Sequence, residues 1–297
     1  MGIRRDKMAI NIVTDSGADI PIELVKSLRI TVVPLTLSFG EQTYLDGVEL
    51  SPDEFYEKLI GEGIMPTTSQ PPVGSFIEVY KKLKGSSNQI LSIHLSAKLS
   101  GTFNSATQAA NEEQLGDAIK IIDSKQASIA LGFSVIAAAE AVAGGASLEE
   151  AASIAESTSN RTNTFILFDT LEYLVKGGRI GRANALIGSV LQIKPILTLD
   201  DGEIATKLKI RTLRKGIQSL QTLAEECGDL ESAAVLYTTD ATEARNLANR
   251  ISNNFITKSK PLVVRLSPAV GTHGGPGVIG VVCVKAKPWD IEFIRET

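Results

Sequence analysis

In the first 160 residues, short apolar runs of strand length alternate with stretches that open on helix-start signals. No other feature of the chain limits its fold as much. Residues 10–14, 89–94 and 118–123 are brief, β-branched-rich runs that read as buried strands. The stretches between them read as helices: 21–28 with Pro21 in its first turn, 74–84, 102–113, and 128–143 ending at Gly144-Gly145. Two of the helix starts are capping boxes, Ser51-Pro52-Asp53-Glu54 and Ser147-Leu148-Glu149-Glu150, in which the serine and glutamate satisfy each other's free N–H groups. Residues 32–39 and 42–44 flank Gly40-Glu41 and read as a hairpin. A sheet of parallel strands with helices on both faces accommodates such alternation. Ligands then gather beyond the carboxyl ends of the strands. Three of those ends carry small polar residues, Asp15-Ser16, 96–100 and Asp123-Ser124, which can converge on one crevice.

The second half has another rhythm. Residues 162–168, 193–199, 204–210, 233–238, 262–266 and 278–284 read as strands, and 213–226 and 241–253 as helices. A further helix follows 168 and runs through Leu174. Asp200-Asp201-Gly202 is a hairpin turn, so at least one strand pair is antiparallel. The expected fold class is α/β with two domains. Residues 1–162 form a parallel sheet flanked by helices, and residues 163–297 form an α+β domain with a largely antiparallel sheet.

Composition removes several functions. Aromatic residues are 5 % of the 297, too few for stacking platforms along single-stranded nucleic acid, and the net charge of −4 opposes phosphate-backbone binding. No basic recognition helix supports a DNA-binding regulator. The most apolar stretch, 127–143, is interrupted by Gly132 and Glu140 and reads as a buried helix rather than a membrane span. The first residues lack the apolar core of a signal peptide, and Asp6 breaks the myristoylation pattern. Cys227 and Cys283 lie in apolar surroundings and read as buried free thiols. A cytoplasmic location is expected.

Motifs narrow the chemistry further. Gly275-Pro276-Gly277-Val278-Ile279-Gly280 fits G-x-G-x-x-G literally, but a strand follows it where a dinucleotide fingerprint needs a helix. Neither a P-loop nor a G-x-S-x-G elbow is present. The two histidines, His94 and His273, have no neighbouring ligand pattern for zinc, so no metal is expected. His94 ends a strand and reads as structural. His273 lies among four glycines in 271–277, a loop that either approaches a ligand closely or simply joins two strands. Residues 96–102, Ser-Ala-Lys-Leu-Ser-Gly-Thr, precede a helix with Ser100 as the expected N-cap. The hydroxyl cluster 67–72, Thr-Thr-Ser-Gln-Pro-Pro, is expected in a loop before another helix. Together these two clusters suit a small anion held by hydroxyls and helix N–H groups. Separately, each also reads as an ordinary cap. Lys176, Arg179 and Arg182 place three cations on a glycine turn, suited to a carboxylate or phosphate, or simply to solvent.

Seven segments taken in order make the chain resemble the DegV family along nearly its whole length. They are residues 14–19 (TDSGAD), 66–71 (PTTSQP), 99–102 (LSGT), 176–180 (KGGRI), 194–197 (KPIL), 209–212 (KIRT) and 273–277 (HGGPG). Gly17 departs from the hydroxyl residue frequent in the family, and an extra N-terminal tail precedes the first strand. The resemblance implies a fatty-acid-binding protein that holds one long-chain acid between two domains. It also implies the role of binding subunit in a two-component fatty acid kinase of phospholipid metabolism. Carried over by motif, Thr68 and Ser100, with His273, bind the carboxylate. Arg179 and His273 support phosphoryl transfer by the partner, and Arg182 and Arg211 face it. Such a chain is not itself an enzyme, needs no cofactor, acts as a monomer and touches the membrane only transiently. The remaining alternative is a hydrolase or transferase acting on a small acyl or phosphorylated substrate, with Ser100 as nucleophile and His273 as base.

Overall fold

The computed structural model describes residues 10–85, 88–187, 193–254 and 260–287. In chain order the strands are β1 Ile10–Asp15, β2 Thr31–Val33, β3 Thr36–Phe39, β4 Gln42–Leu45, β5 Thr67–Ser69, β6 Gln89–His94, β7 Ile119–Asp123, β8 Thr162–Leu167, β9 Lys194–Asp200, β10 Glu203–Ile210, β11 Leu230–Tyr237, β12 Leu262–Arg265 and β13 Ile279–Lys285. The α-helices are α1 Ile22–Ser27, α2 Pro52–Glu62, α3 Val73–Lys84, α4 Thr102–Glu112, α5 Ile129–Ala143, α6 Leu148–Arg161, α7 Glu172–Lys176, α8 Leu213–Glu225, α9 Ala241–Asn254 and α10 Pro268–Gly274.

The alternating half folds as its pattern requires. β2, β1, β6 and β7 form a parallel sheet in that order, with Ile12 opposite Leu91 and Ile93 opposite Ile122. Helices α3 and α4 cover one face through Phe76, Tyr80, Ala106 and Ala109, while α5 and α6 cover the other through Leu131, Val135, Ala151 and Ala155. Both capping boxes are formed, at the starts of α2 and α6.

The second half builds a six-stranded sheet, β10-β9-β8-β13-β11-β12, antiparallel except for the β11–β12 pair. Its outer face packs α8 and α9 through Leu220, Leu223, Leu247 and Ile251. Its inner face meets α5, whose Ile129, Ala130 and Phe133 pack with Phe168, Leu197 and Leu236. Helix α5 thus lies between two sheets, which is why residues 129–135 are buried on every side. The architecture is two-domain α/β, with a parallel sheet and its helices followed by a mixed, mainly antiparallel sheet. Among the described residues no helix is long and apolar enough to cross a membrane. Cys227 is half-buried and Cys283 buried, both as free thiols.

Three local readings are corrected. Residues 32–39 are not one strand: β2 belongs to the parallel sheet and β3 to a separate antiparallel sheet, β4-β3-β5. Pro34, with no N–H and a fixed φ, stands at the break. The cluster at 67–72 is not all loop, because Thr67–Ser69 is β5. His273 is not in a loop between strands but in the last turn of α10. Ser267-Pro268, an N-cap followed by proline at the first helical position, is the start signal that the glycine count obscured.

Candidate functional site

A cavity opens between the segments that follow β1, β2 and β6 and the inner face of the six-stranded sheet. Its empty volume is about 990 Å³, open solvent at the mouth included. Leu95, Leu99, Ile166, Phe168, Leu197 and Leu236 give it mainly apolar walls drawn from both halves of the chain. Polar side chains are fewer, and Thr68, Gln70, Ser100, Arg179 and His273 are among them.

Thr68 and His273 meet there, Oγ1 to Nε2 at 2.7 Å. Thr68 is carried by the short strand β5 and His273 by α10, residues 205 apart in sequence. His273 Nδ1 is buried without a hydrogen-bond partner among the described residues. Gly177 backs the ring so closely that a Cβ there would fall 2.2 Å from Nδ1. Burial, then the charge of Arg179, pushes the imidazole pKa down to about 4, so the ring is neutral at pH 7. With the proton on Nε2, the ring donates to Thr68 and leaves the Thr68 O–H to turn into the cavity.

Arg179 is held by its own loop and by the segment before α4. Its Nε donates to Leu99 O at 3.1 Å and its Nη1 to Gly177 O at 2.6 Å. The first of these bonds ties the cation to the segment carrying Ser100. Ser100, the expected N-cap, stands one residue before the actual one: Gly101 is the N-cap of α4, without a side-chain cap bond. The Ser100 hydroxyl still accepts from Thr102 N at 3.3 Å and shares a hydrogen bond with Thr102 Oγ1 at 2.9 Å. The side-chain amide of Gln70 lies against Gly101, its Nε2 2.6 Å from where a Cβ would stand. Thr68, Gln70, Ser100, Arg179 and His273 all line the cavity.

Other candidates fall elsewhere. Lys176 pairs with Glu172, Arg182 with Asp200 and Glu203, and Arg211 is exposed after β10. Asp123 accepts from the N–H groups of Ala97 and Lys125, shaping turns instead of the cavity. His94 is structural: its Nδ1 donates to Asp15 Oδ2 at 2.9 Å, its Nε2 meets Ser92 Oγ at 2.7 Å, and Ser92 bonds Tyr80 OH. Asp15, Ser92, His94 and Tyr80 are all fully buried. The seat that Gly177 provides for the His273 ring could not be read in advance, since only the fold brings the two together. Of the three polar strand ends expected to converge, the one at 96–100 reaches the cavity, through Ser100, whereas Asp15, Ser16, Asp123 and Ser124 do not line it.

This fold and site define a class: a two-domain α/β protein with a predominantly apolar cavity between its sheets and a polar cluster at one end. A family model described as "Uncharacterised protein, DegV family" matches residues 9–286, and the chain belongs to the DegV family. It is 37 % identical over 274 residues to a DegV domain-containing protein of Caldanaerobacter subterraneus, covering 92 % of this chain and 97 % of that one. Among solved structures, a Thermus thermophilus DegV family protein, described for its fatty acid binding, superposes with a TM-score of 0.87 at 32 % identity. That match covers 94 % of this chain and 100 % of the other. DegV of Bacillus subtilis, described as a fatty acid binding protein, gives a TM-score of 0.84 at 34 % identity, with the same coverage.

Proposed function

We propose that this protein binds one long-chain fatty acid in the cavity, between an N-terminal domain of residues 1–162 and a C-terminal domain of residues 163–297. It presents the carboxylate to a partner kinase that converts it to an acyl phosphate. One observation carries the reading: a mostly apolar cavity whose one end gathers Thr68, Ser100, His273 and Arg179. The fatty acid binding described for the Thermus and Bacillus relatives supports it.

Physical reasoning divides the labour. Each buried methylene contributes about 0.8 kcal/mol, so a long tail contributes on the order of 10 kcal/mol before ordering costs. Hydroxyl hydrogen bonds to the head group add little net affinity against water. The tail therefore sets affinity, and Thr68, Ser100 and His273 set orientation. Arg179 supplies the positive charge that favours a developing acyl phosphate over the acid. Phosphoryl transfer depends chiefly on such positioning and charge stabilisation. The alternative of a Ser100 nucleophile with His273 as base lacks its required hydrogen bond: His273 Nε2 engages Thr68, and Ser100 Oγ engages Thr102.

The test pairs two assays on the same preparations. Arg179→Ala and His273→Ala are expected to keep co-purifying fatty acid, identified by mass spectrometry after denaturation, yet to fail as substrate carriers in a reconstituted kinase reaction. Lipid lost in step with activity would make both residues binding groups instead. Acyl phosphate formed without a kinase would overturn the carrier reading.

A further inference from the structure

Helix α10 carries His273 at its C-terminal end, and two acidic residues from the other half of the chain grip its start. Asp19 Oδ1 accepts from Ser267 N at 3.1 Å, and Asp46 Oδ1 accepts from Ala269 N at 3.1 Å. Val270 N is left to the Ser267 hydroxyl at 3.4 Å, and Pro268 has no N–H. Every free amide at this helix start is thereby satisfied, two of the three by carboxylates. Asp19 sits in the left-handed region at φ 47° and also accepts from Ser128 Oγ at 2.5 Å, at the start of α5. Asp46 is 2 % exposed, and its Oδ2 has no hydrogen-bond partner among the described residues.

This is a costly way to cap a seven-residue helix. A serine or asparagine would satisfy the same amides without burying charge. Burial pushes Asp19 up to about 7 and Asp46 up to about 6, and each carboxylate sits in a field that Asp46 or Asp15 makes more negative. The surrounding titratable groups are Tyr56 of α2, which donates to Leu266 O, Arg265 of β12, stacked 4.9 Å over the Tyr56 ring, and Tyr237 of β11.

We infer that Asp19 and Asp46 are positioning residues for the head-group end of the cavity: by clamping the start of α10 they set where His273 meets Thr68. The inference rests on the proposed ligand reading for its purpose, but its geometry stands apart from it. Asp46 follows β4 and Thr68 lies in β5, and both strands pair with β3. One small sheet therefore grips α10 at both ends, by Asp46 at the start and by Thr68 at His273. So short a helix has little stability of its own, and its place is dictated by what holds it.

The experiment reads the His273 ring directly. Only two histidines exist, so labelled protein gives two sets of ring signals, which His273→Gln tells apart, and buried His94 reports whether the fold is intact. In Asp19→Ala and Asp46→Ala the His273 signals are expected to shift while those of His94 stay. Asp19→Asn and Asp46→Asn, which keep an acceptor oxygen, are expected to restore the His273 signals. Unmoved His273 signals in folded alanine variants would overturn the inference. If those variants do not fold, Asp46→Glu decides: it keeps the carboxylate that accepts from Ala269 N but lengthens its reach, so the His273 signals are expected to shift while those of His94 stay, and unmoved His273 signals there would overturn the inference. Shifted signals in a protein that binds no fatty acid would sustain the clamp and remove only the ligand reading.

Discussion

At the scale of single residues, the polar end of the cavity depends on hydroxyls and one neutral imidazole, so its substitutions should separate cleanly. Thr68→Ala combined with Ser100→Ala is expected to weaken head-group fixation by roughly 1–3 kcal/mol. Calorimetric titration against fatty acid, beside circular dichroism to confirm an unchanged fold, measures it. Gly177→Ala should act on stability instead. Its Cβ would fall 2.2 Å from His273 Nδ1 and 2.9 Å from Tyr173 O. The overpacking is expected to cost about 1–3 kcal/mol in urea unfolding. His273 also gives the protein an acid limb. Its folded pKa of about 4 lies below the ordinary 6.5, so between those values the unfolded chain binds a proton that the folded one does not. Stability from this group is then lost as pH falls from 6.5 towards 4. His273→Gln is expected to narrow the difference between urea midpoints at pH 7 and pH 4, and an unchanged difference would show that the ring is not held neutral.

Elements show what could be read from sequence and what could not. The capping boxes at Ser51 and Ser147 were legible because their partners lie three residues away. Ser147→Ala is expected to cost about 1 kcal/mol, read as a lowered urea midpoint, by freeing an amide at the start of α6. The β9–β10 hairpin was legible for the same reason, from Asp200-Asp201-Gly202. By contrast, β2 and β3 looked like one strand, since their apolar pattern runs on and only Pro34 separates two sheets. Helix α10 was hidden among its glycines, although Ser267-Pro268 marked its start. Of the site, Thr68, Ser100, Arg179 and His273 were each named from motif, but the bond between Thr68 and His273 spans 205 residues and no local pattern encodes it. The roles of Asp19 and Asp46 are equally non-local: one lay inside a quoted motif with no function attached, and the other in none.

The whole molecule turns on the space between its sheets. The segments after β1, β2 and β6 and the inner face of the six-stranded sheet line one cavity. A ligand bound only by the native state must stabilise it in proportion to its occupancy. The most direct measurement is therefore the melting temperature of carefully delipidated protein, titrated with saturated and unsaturated long-chain fatty acids and with short-chain acids as controls. A melting temperature that climbs with long-chain acid, and stays still with short-chain acid of equal charge, is the expected result. No rise with any long-chain acid, or an equal rise with the short ones, would contradict a tail-driven site in this cavity.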